Sequence, residues 1–282
     1  MNLPILPDAV LDQFLADDVP FLDLTTHVLG VGAEPGRMSF AARDAMVVAC
    51  AEEAARIIER AGAKVVLHAA SGAELEPGAA ILTATGLAAA LLRSWKIAQN
   101  LIETAAGIAT ATRNIVDAAR AVAPHVSVAC TRKNAPGTKL MAVKAVLAGG
   151  GAPHRLGLSE TILIFAEHRA FLPGIAEAEI IALARRDAAE KKIVVEVGSL
   201  EEALAFSKAG ADVIQAEKFR PAQIATLRCA LDGDARRPLI AAAGGVNAAN
   251  GAEFAAAGAD ILVTSAPYWG KPLDVAVRIE AA

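Results

Sequence analysis

Residues 207–216 read SKAGADVIQA and residues 255–264 read AAAGADILVT. Each phrase joins the end of a helical stretch to a Gly-Ala-Asp link and then to a strand that is apolar on both faces. Such a strand cannot border water on one side, so it belongs inside a parallel sheet covered by helices. The recurrence marks a repeated α/β unit. From Val126 onward, further short apolar runs, VSVACT, TILIFA, KIVVEV and PLIAAAGG, alternate with helical stretches in the same rhythm. The expected fold class is therefore α/β, with either a parallel barrel or an open parallel sheet. In both, chemistry belongs at the C-terminal ends of the strands.

The chain before Val126 reads differently. LPDAVLDQFLADDV has helical spacing from a start at Pro7-Asp8. Residues 37–48 read as a hairpin around Arg43-Asp44, and CAEEAARIIERAG as an amphipathic helix closed by Gly62. KVVLHAA and AAILTATG read as strands around the turn signal EPG. An Ala/Leu-rich helix is expected from about Ala88 to Ala123, with a break near Gly107. The expected organisation is a small first domain over residues 1–112 and an α/β domain over 113–270. The tail 271–282 is expected to return to the first domain.

Composition narrows the partners. The 282 residues are 55% hydrophobic and 21% charged, which allows a large core. A net charge of -4 argues against broad nucleic-acid binding, and 4% aromatics against base-stacking platforms. Cys50, Cys130 and Cys229 are sparse and lack metal-type spacing, as in a reducing compartment. The start MNLPILPDAV lacks the pattern of a signal peptide, and no apolar run is long enough to span a membrane. A soluble cytoplasmic protein is the expectation.

Against that background the basic residues stand out. Thr131-Arg132-Lys133 ends one apolar strand, and GGGAPHRLGL carries His154-Arg155 after three glycines. Taken alone, Arg132 and Lys133 read as surface charges, the three glycines as a flexible turn and His154 as a core histidine. Jointly, a guanidinium fork and a lysine point charge suit a dicarboxylate or a pyrophosphate. Glu196 and Glu217 sit at neighbouring strand ends, either in an ion pair or facing ribose hydroxyls or hydrated Mg²⁺. Gly244-Gly245-Val246-Asn247 follows a buried strand and precedes a helix, as a tight turn or a phosphate cradle at a helix N-terminus.

Several motifs, DDVPFLDLTT, WKIAQNLIETAAGIAT, TRKNAPGTK, GGGAPHRLGL, VVEVGSLEEA, AGADVIQAEKF and AAGGVN, occur in one order along nearly the whole chain. In this the sequence resembles the quinolinate phosphoribosyltransferase (nicotinate-nucleotide pyrophosphorylase, carboxylating) family, most closely its ModD-type pyrophosphorylase branch associated with molybdenum transport. The resemblance implies an N-terminal α/β sandwich, an incomplete parallel α/β barrel and a homodimer with shared active sites. It implies transfer of phosphoribosyl from 5-phosphoribosyl 1-pyrophosphate to a heteroaromatic carboxylate. In the family that carboxylate is quinolinate; nicotinate mononucleotide forms, and carbon dioxide and pyrophosphate leave. By the same resemblance Arg132, His154 and Arg155 would hold acceptor carboxylates, with Lys96 and Lys218 also on the substrate. Lys133 would face the pyrophosphate, and Glu196 and Glu217 the ribose and Mg²⁺. Gly244, Gly245 and Ser265 would meet the 5-phosphate.

The sequence departs from the family at three places. Trp95-Lys96 stands where the family has Glu-Arg, Phe165-Ala166-Glu167-His168 where it has Lys-Asp-Asn-His, and Glu217-Lys218 where it has Asp-Asn. Quinolinate is therefore expected to be a poor acceptor, unless Lys144 or Lys218 replaces the missing charge. Two other readings compete. One is a non-catalytic anion- or nucleotide-binding accessory protein in molybdenum handling. The other is a phosphate-binding aldolase or isomerase, for which Lys133 and Lys218 are the only candidate lysines.

Overall fold

The computed structural model describes residues 3–282. Its strands are β1 (Pro35–Ala42), β2 (Met46–Val47), β3 (Lys64–Leu67), β4 (Glu74–Leu75), β5 (Ala80–Leu87), β6 (Ser127–Cys130), β7 (Ala152–Pro153), β8 (Ile162–Ile164), β9 (Ile193–Val197), β10 (Val213–Glu217), β11 (Leu239–Ala243), β12 (Ile261–Thr264) and β13 (Val275–Ala281). The chain divides into two compact units. One contains the described residues through Arg113, with Asn134–Gly150 and Pro267–Ala282; the other contains Asn114–Lys133 and Gly151–Ala266.

The first unit is built on an antiparallel sheet of order β13-β1-β5-β3. Along β1 the side chains alternate, so Met38, Phe40 and Ala42 are buried. The helix Ala51–Arg60 lies against β3 and β5 and buries Ala54, Ile57 and Ile58. Each of the two isoleucines contributes roughly 1.5–3 kcal/mol. The helix ends where Gly62 takes φ +108°.

Two local expectations fail here, each for a physical reason. Residues 37–48 form no hairpin: β2 pairs with β4, while β1 takes β13 as its partner over residues 36–42. The tail wins because it offers a full-length antiparallel register, and Asp44 accepts the Asp274 N–H at its start. The helix Ala88–Arg120 also runs through Gly107 without a break. A Cβ at Gly107 would lie 2.5 Å from the Lys271 carbonyl oxygen, so glycine serves the close approach of the returning tail. Gln99 donates to the Val275 carbonyl and Glu103 accepts the Val275 N–H alongside it.

The second unit is a seven-stranded, all-parallel sheet of order β7-β6-β12-β11-β10-β9-β8, an incomplete α/β barrel. Both faces are buried. Ile214 and Ala216 join the core beneath the helices, while Val213 joins Leu163, Val194, Ala241, Ala243 and Val263 on the opposite face. The short strand β7 was not foreseen, because a two-residue strand has no periodicity.

The repeated Gly-Ala-Asp has a structural meaning. Asp212 accepts the N–H of Ile193, the first residue of β9, and Asp260 accepts that of Ile240 in β11. Each carboxylate thereby pins the neighbouring strand's start. Burial alone would raise the Asp260 carboxyl, but the Ile240 N–H and the Arg228 and Arg237 guanidiniums outweigh it and hold it below the usual range. These acids lie at the N-terminal ends of the strands and keep the repeat in register. No helix among the described residues is long and apolar enough to cross a membrane.

Candidate active site

A cavity of about 600 Å³ opens at the C-terminal ends of the parallel strands. Every strand of the sheet contributes to its lining. Thr131, Arg132 and Lys133 follow β6, and His154 and Arg155 follow β7. Phe165 follows β8, Glu196 lies in β9, and Gln215 and Glu217 in β10. Gly244, Gly245, Val246 and Asn247 follow β11, and Thr264, Ser265 and Ala266 close the ring at β12. Leu163 and Val263 supply an apolar floor.

One wall is cationic. Arg132 and Lys133 are exposed and Arg155 is buried. None of the three has a carboxylate partner among the ion pairs of the described residues. Burial and the neighbouring Arg132 charge both push the Arg155 guanidinium's pKa down. Burial and the Arg155 charge push His154 down in the same way, which keeps its imidazole neutral at neutral pH. Like charges gathered without counter-charges are unfavourable until an anion arrives. The Arg155 guanidinium also lies 5.6 Å from the centre of the Phe165 ring, a cation–π distance. Phe165 in turn stacks on His168, whose Nδ1 accepts the Phe165 N–H.

The facing wall is acidic. Glu196 and Glu217 are half-buried, and Glu167 is exposed beside them. Burial, and then the Glu217 charge, raises the Glu196 carboxyl above the usual range. The Gln215 amide donates to Glu196 Oε2 at 2.7 Å. Arg169 holds the Glu196 carbonyl at 2.7 Å and pairs with Glu202, which fixes the backbone behind the site.

Between the walls lies the glycine loop. Gly244 and Gly245 have φ of +88° and +95°, a conformation that favours glycine. A Cβ on Gly244 would meet the Lys218 nitrogen at 2.7 Å and a Glu217 carboxylate oxygen at 2.9 Å. The loop is tied down by Asn247 and Asn250, whose amides both donate to the Gly245 carbonyl. Thr264 Oγ1 donates to the Val246 carbonyl at 2.6 Å, so the loops after β11 and β12 form one platform beside Ser265. The loop precedes a short helix of 6 residues that starts at Gly251, and the Gly251 N–H closes a turn on the Asn247 carbonyl between them.

The expected residues Arg132, Lys133, His154, Arg155, Glu196, Glu217, Gly244, Gly245 and Ser265 all line the cavity. Lys96 and Lys218 do not. Lys96 belongs to the first unit, where its ammonium sits 3.9 Å over the Trp95 ring and donates to Gln99. Lys218 takes φ +59° immediately after Glu217, outside the lining. Lys144 cannot replace a missing pocket charge, because it is buried in the first unit against Glu52 and Glu53. Sequence reasoning missed Gln215, a polar residue inside an apolar strand, and Asn247 and Thr264 as loop anchors. The one available signal for Gln215 was its place two residues before Glu217, on the same strand face.

Family models match both parts of the chain: the Quinolinate phosphoribosyl transferase, N-terminal domain over residues 23–106 and the C-terminal domain over residues 108–278. A Rhodobacter capsulatus protein, provisionally named pyrophosphorylase ModD, is 50% identical over 248 residues, covering 88% of this chain and 95% of its own. The human nicotinate-nucleotide pyrophosphorylase [carboxylating] is 29% identical over 261 residues, covering 92% of this chain and 86% of its own. Among solved structures, NadC from Streptococcus pyogenes superposes with a TM-score of 0.91 at 25% identity, covering 100% of both chains.

Proposed function

The chain belongs to the quinolinate phosphoribosyltransferase family, and from that premise we propose that it transfers phosphoribosyl from 5-phosphoribosyl 1-pyrophosphate to a heteroaromatic carboxylate. One observation carries the reading: a single cavity gathers cations that form no ion pair and carboxylates that form none, together with a glycine platform. A ligand pair with anionic ends and a hydroxyl-rich, cation-developing centre satisfies both walls at once.

In this mechanism Arg132 and Arg155 hold the acceptor's carboxylate through paired N–H bonds, and neutral His154 adds a donor. Phe165 offers the acceptor ring a flat apolar face beside Arg155. Lys133 faces the leaving pyrophosphate, and the Gly244-Gly245 loop with Ser265 holds the 5-phosphate. As the pyrophosphate departs, C1 of the ribose becomes oxocarbenium-like, and the carboxylates of Glu196 and Glu217 favour that positive charge. The acceptor nitrogen, fixed in line, attacks without a covalent enzyme intermediate.

Mg²⁺ fits this donor set. Glu196 is raised partly by the Glu217 charge, a repulsion that a cation relieves. Mg²⁺ binds through one or two carboxylates plus water and phosphate oxygens, and no cluster of three or more His, Cys, Asp or Glu ligands occurs among the described residues. When bound near Glu196 and Glu217 it would neutralise charge on the pyrophosphate.

We also propose a homodimer. Phe21, Leu24, Val28 and Leu29 in the first unit are exposed, between 66% and 94%, a cost that a covering partner removes. Exposed Lys96 would then reach the partner's cavity. The test of the transfer itself is pyrophosphate release from 5-phosphoribosyl 1-pyrophosphate and Mg²⁺ across a panel of heteroaromatic carboxylates. Release dependent on one acceptor supports the reading, and its absence across the panel removes it.

A further inference from the structure

Resting on the phosphoribosyl-transfer reading, we propose that Gln215 is a specificity-determining residue whose amide carbonyl receives a hydroxyl of the bound ribosyl group. Gln215 is only 4% exposed yet lines the cavity, on the strand face it shares with Glu217. Its register neighbours are Glu196 in β9 and Ala241 in β11. Its Nε2 donates to Glu196 Oε2 at 2.7 Å. An ionised carboxylate only accepts hydrogen bonds, so this contact fixes which way the amide points. The carbonyl oxygen, Oε1, is then left without a hydrogen-bond partner among the described residues.

A buried acceptor with no partner is rare, because it has lost water and gained nothing. The fold does not ask for it: the surrounding floor is Leu163, Val213 and Val263, against which an apolar side chain would pack as well. The amide therefore answers to something that enters the cavity and brings a donor. Fully ionised phosphate, pyrophosphate and carboxylate groups bring only acceptors, and the adjacent Glu196 and Glu217 repel them. Hydroxyls are the donors that a phosphoribosyl ligand carries. Glu196 and Glu217 offer further acceptor oxygens beside the Gln215 carbonyl, so a diol can donate twice or more. Gln215 then has two tasks: its NH₂ orients Glu196, and its carbonyl reads a hydroxyl.

The test compares wild type with Gln215→Met, which keeps length and removes both polar atoms. Calorimetry is run in Mg²⁺ with 5-phosphoribosyl 1-pyrophosphate, with its deoxyribosyl analogues, and with pyrophosphate alone, after thermal unfolding confirms that the variant folds. Q215M is expected to bind 5-phosphoribosyl 1-pyrophosphate about tenfold more weakly, the effect of one lost hydrogen bond. Pyrophosphate should bind both proteins alike. One deoxyribosyl analogue should bind wild type as weakly as it binds Q215M. Gln215→Leu serves as the second variant if Q215M does not fold. Equal affinity of the two proteins for 5-phosphoribosyl 1-pyrophosphate overturns the assignment of Gln215 alone. An equal loss for pyrophosphate also overturns it, since that marks general distortion. If wild type binds no 5-phosphoribosyl 1-pyrophosphate, the transfer reading fails and this inference with it.

Discussion

Two groups of basic residues in this molecule obey opposite electrostatic rules. In the first unit, the Lys144 side chain is 3% exposed, and its ammonium meets Glu53 at 2.6 and 2.8 Å and Glu52 at 3.0 Å. Burial alone would lower its pKa, but bonds to the two carboxylates outweigh burial and raise it. In the second unit, burial lowers Arg155 and His154, and the charge of a neighbouring cation, Arg132 and Arg155 respectively, lowers each further. A buried cation with its own carboxylates is architecture. Cations that share a cavity and form no ion pair await an anion.

The comparison breaks most sharply at Lys144. Lys144→Met leaves Glu53, which is 0% exposed, buried without its partner. Denaturant unfolding should show a loss of about 3–5 kcal/mol. Arg132→Ala should leave the unfolding midpoint nearly unchanged and weaken acceptor binding, by roughly 2–5 kcal/mol where the bound acceptor desolvates the guanidinium. If Arg132→Ala unfolds the protein and Lys144→Met does not, the two groups have been assigned the wrong way round.

Quinolinate gives the next largest effect. Phe165 supplies no charge where the family pattern has lysine, and Lys144 is committed to Glu52 and Glu53. Losing about 3 kcal/mol of transition-state binding lowers catalytic efficiency more than 100-fold. Steady-state kinetics with quinolinate should show that deficit relative to the preferred acceptor, and Phe165→Lys should recover part of it. Wild-type efficiency with quinolinate in the ordinary enzymatic range contradicts this.

A smaller effect lies in pH. Glu196 is raised by burial and then by Glu217, and its ionised form is the one that accepts hydroxyls and orients Gln215. Affinity for 5-phosphoribosyl 1-pyrophosphate should therefore be present above the Glu196 pKa and be lost as pH falls through it, at higher pH than for an ordinary carboxylate. Stability runs the other way. A carboxyl raised on folding weakens the fold when ionised, and that penalty is relieved as pH falls from the raised pKa toward the unfolded one. Glu217→Gln removes the like charge and should move the binding limb to lower pH; an unmoved limb would assign the titration to another group.

Lys96 gives the smallest change in stability. Its contacts to Trp95 and Gln99 are exposed, so Lys96→Ala should cost no more than about 1 kcal/mol in unfolding. Its loss should instead appear in turnover. Mixing Lys96→Ala with Arg132→Ala chains should restore some activity in a shared-site dimer, and a monomeric active species in sedimentation excludes that arrangement.

Much of this was legible in the chain. The strands of the parallel sheet announced themselves as short apolar runs with a repeated link, and the cavity residues Arg132, Lys133, His154, Arg155, Glu196 and Glu217 followed from being polar at strand ends. What stayed hidden depends on partners distant in sequence. The hairpin at Arg43-Asp44 looked complete locally, but β1 was claimed by β13. Gly107 looked like a break because its use, contact with Lys271, lies far along the chain. Lys144 looked like a free cation because nothing near it in sequence shows Glu52 and Glu53. Gln215 looked like a minor interruption of a core strand, and only the placement of Glu196 opposite it gives the amide a direction.

The most direct measurement is calorimetric titration of wild type, Lys133→Ala and Arg132→Ala with 5-phosphoribosyl 1-pyrophosphate and Mg²⁺ at neutral pH. The account predicts binding to wild type tighter than about 1 mM, which is about −4 kcal/mol. It predicts clear weakening in Lys133→Ala and near-wild-type affinity in Arg132→Ala, whose guanidinium serves the acceptor. No binding to wild type at millimolar ligand, or equal binding to all three proteins, would contradict it.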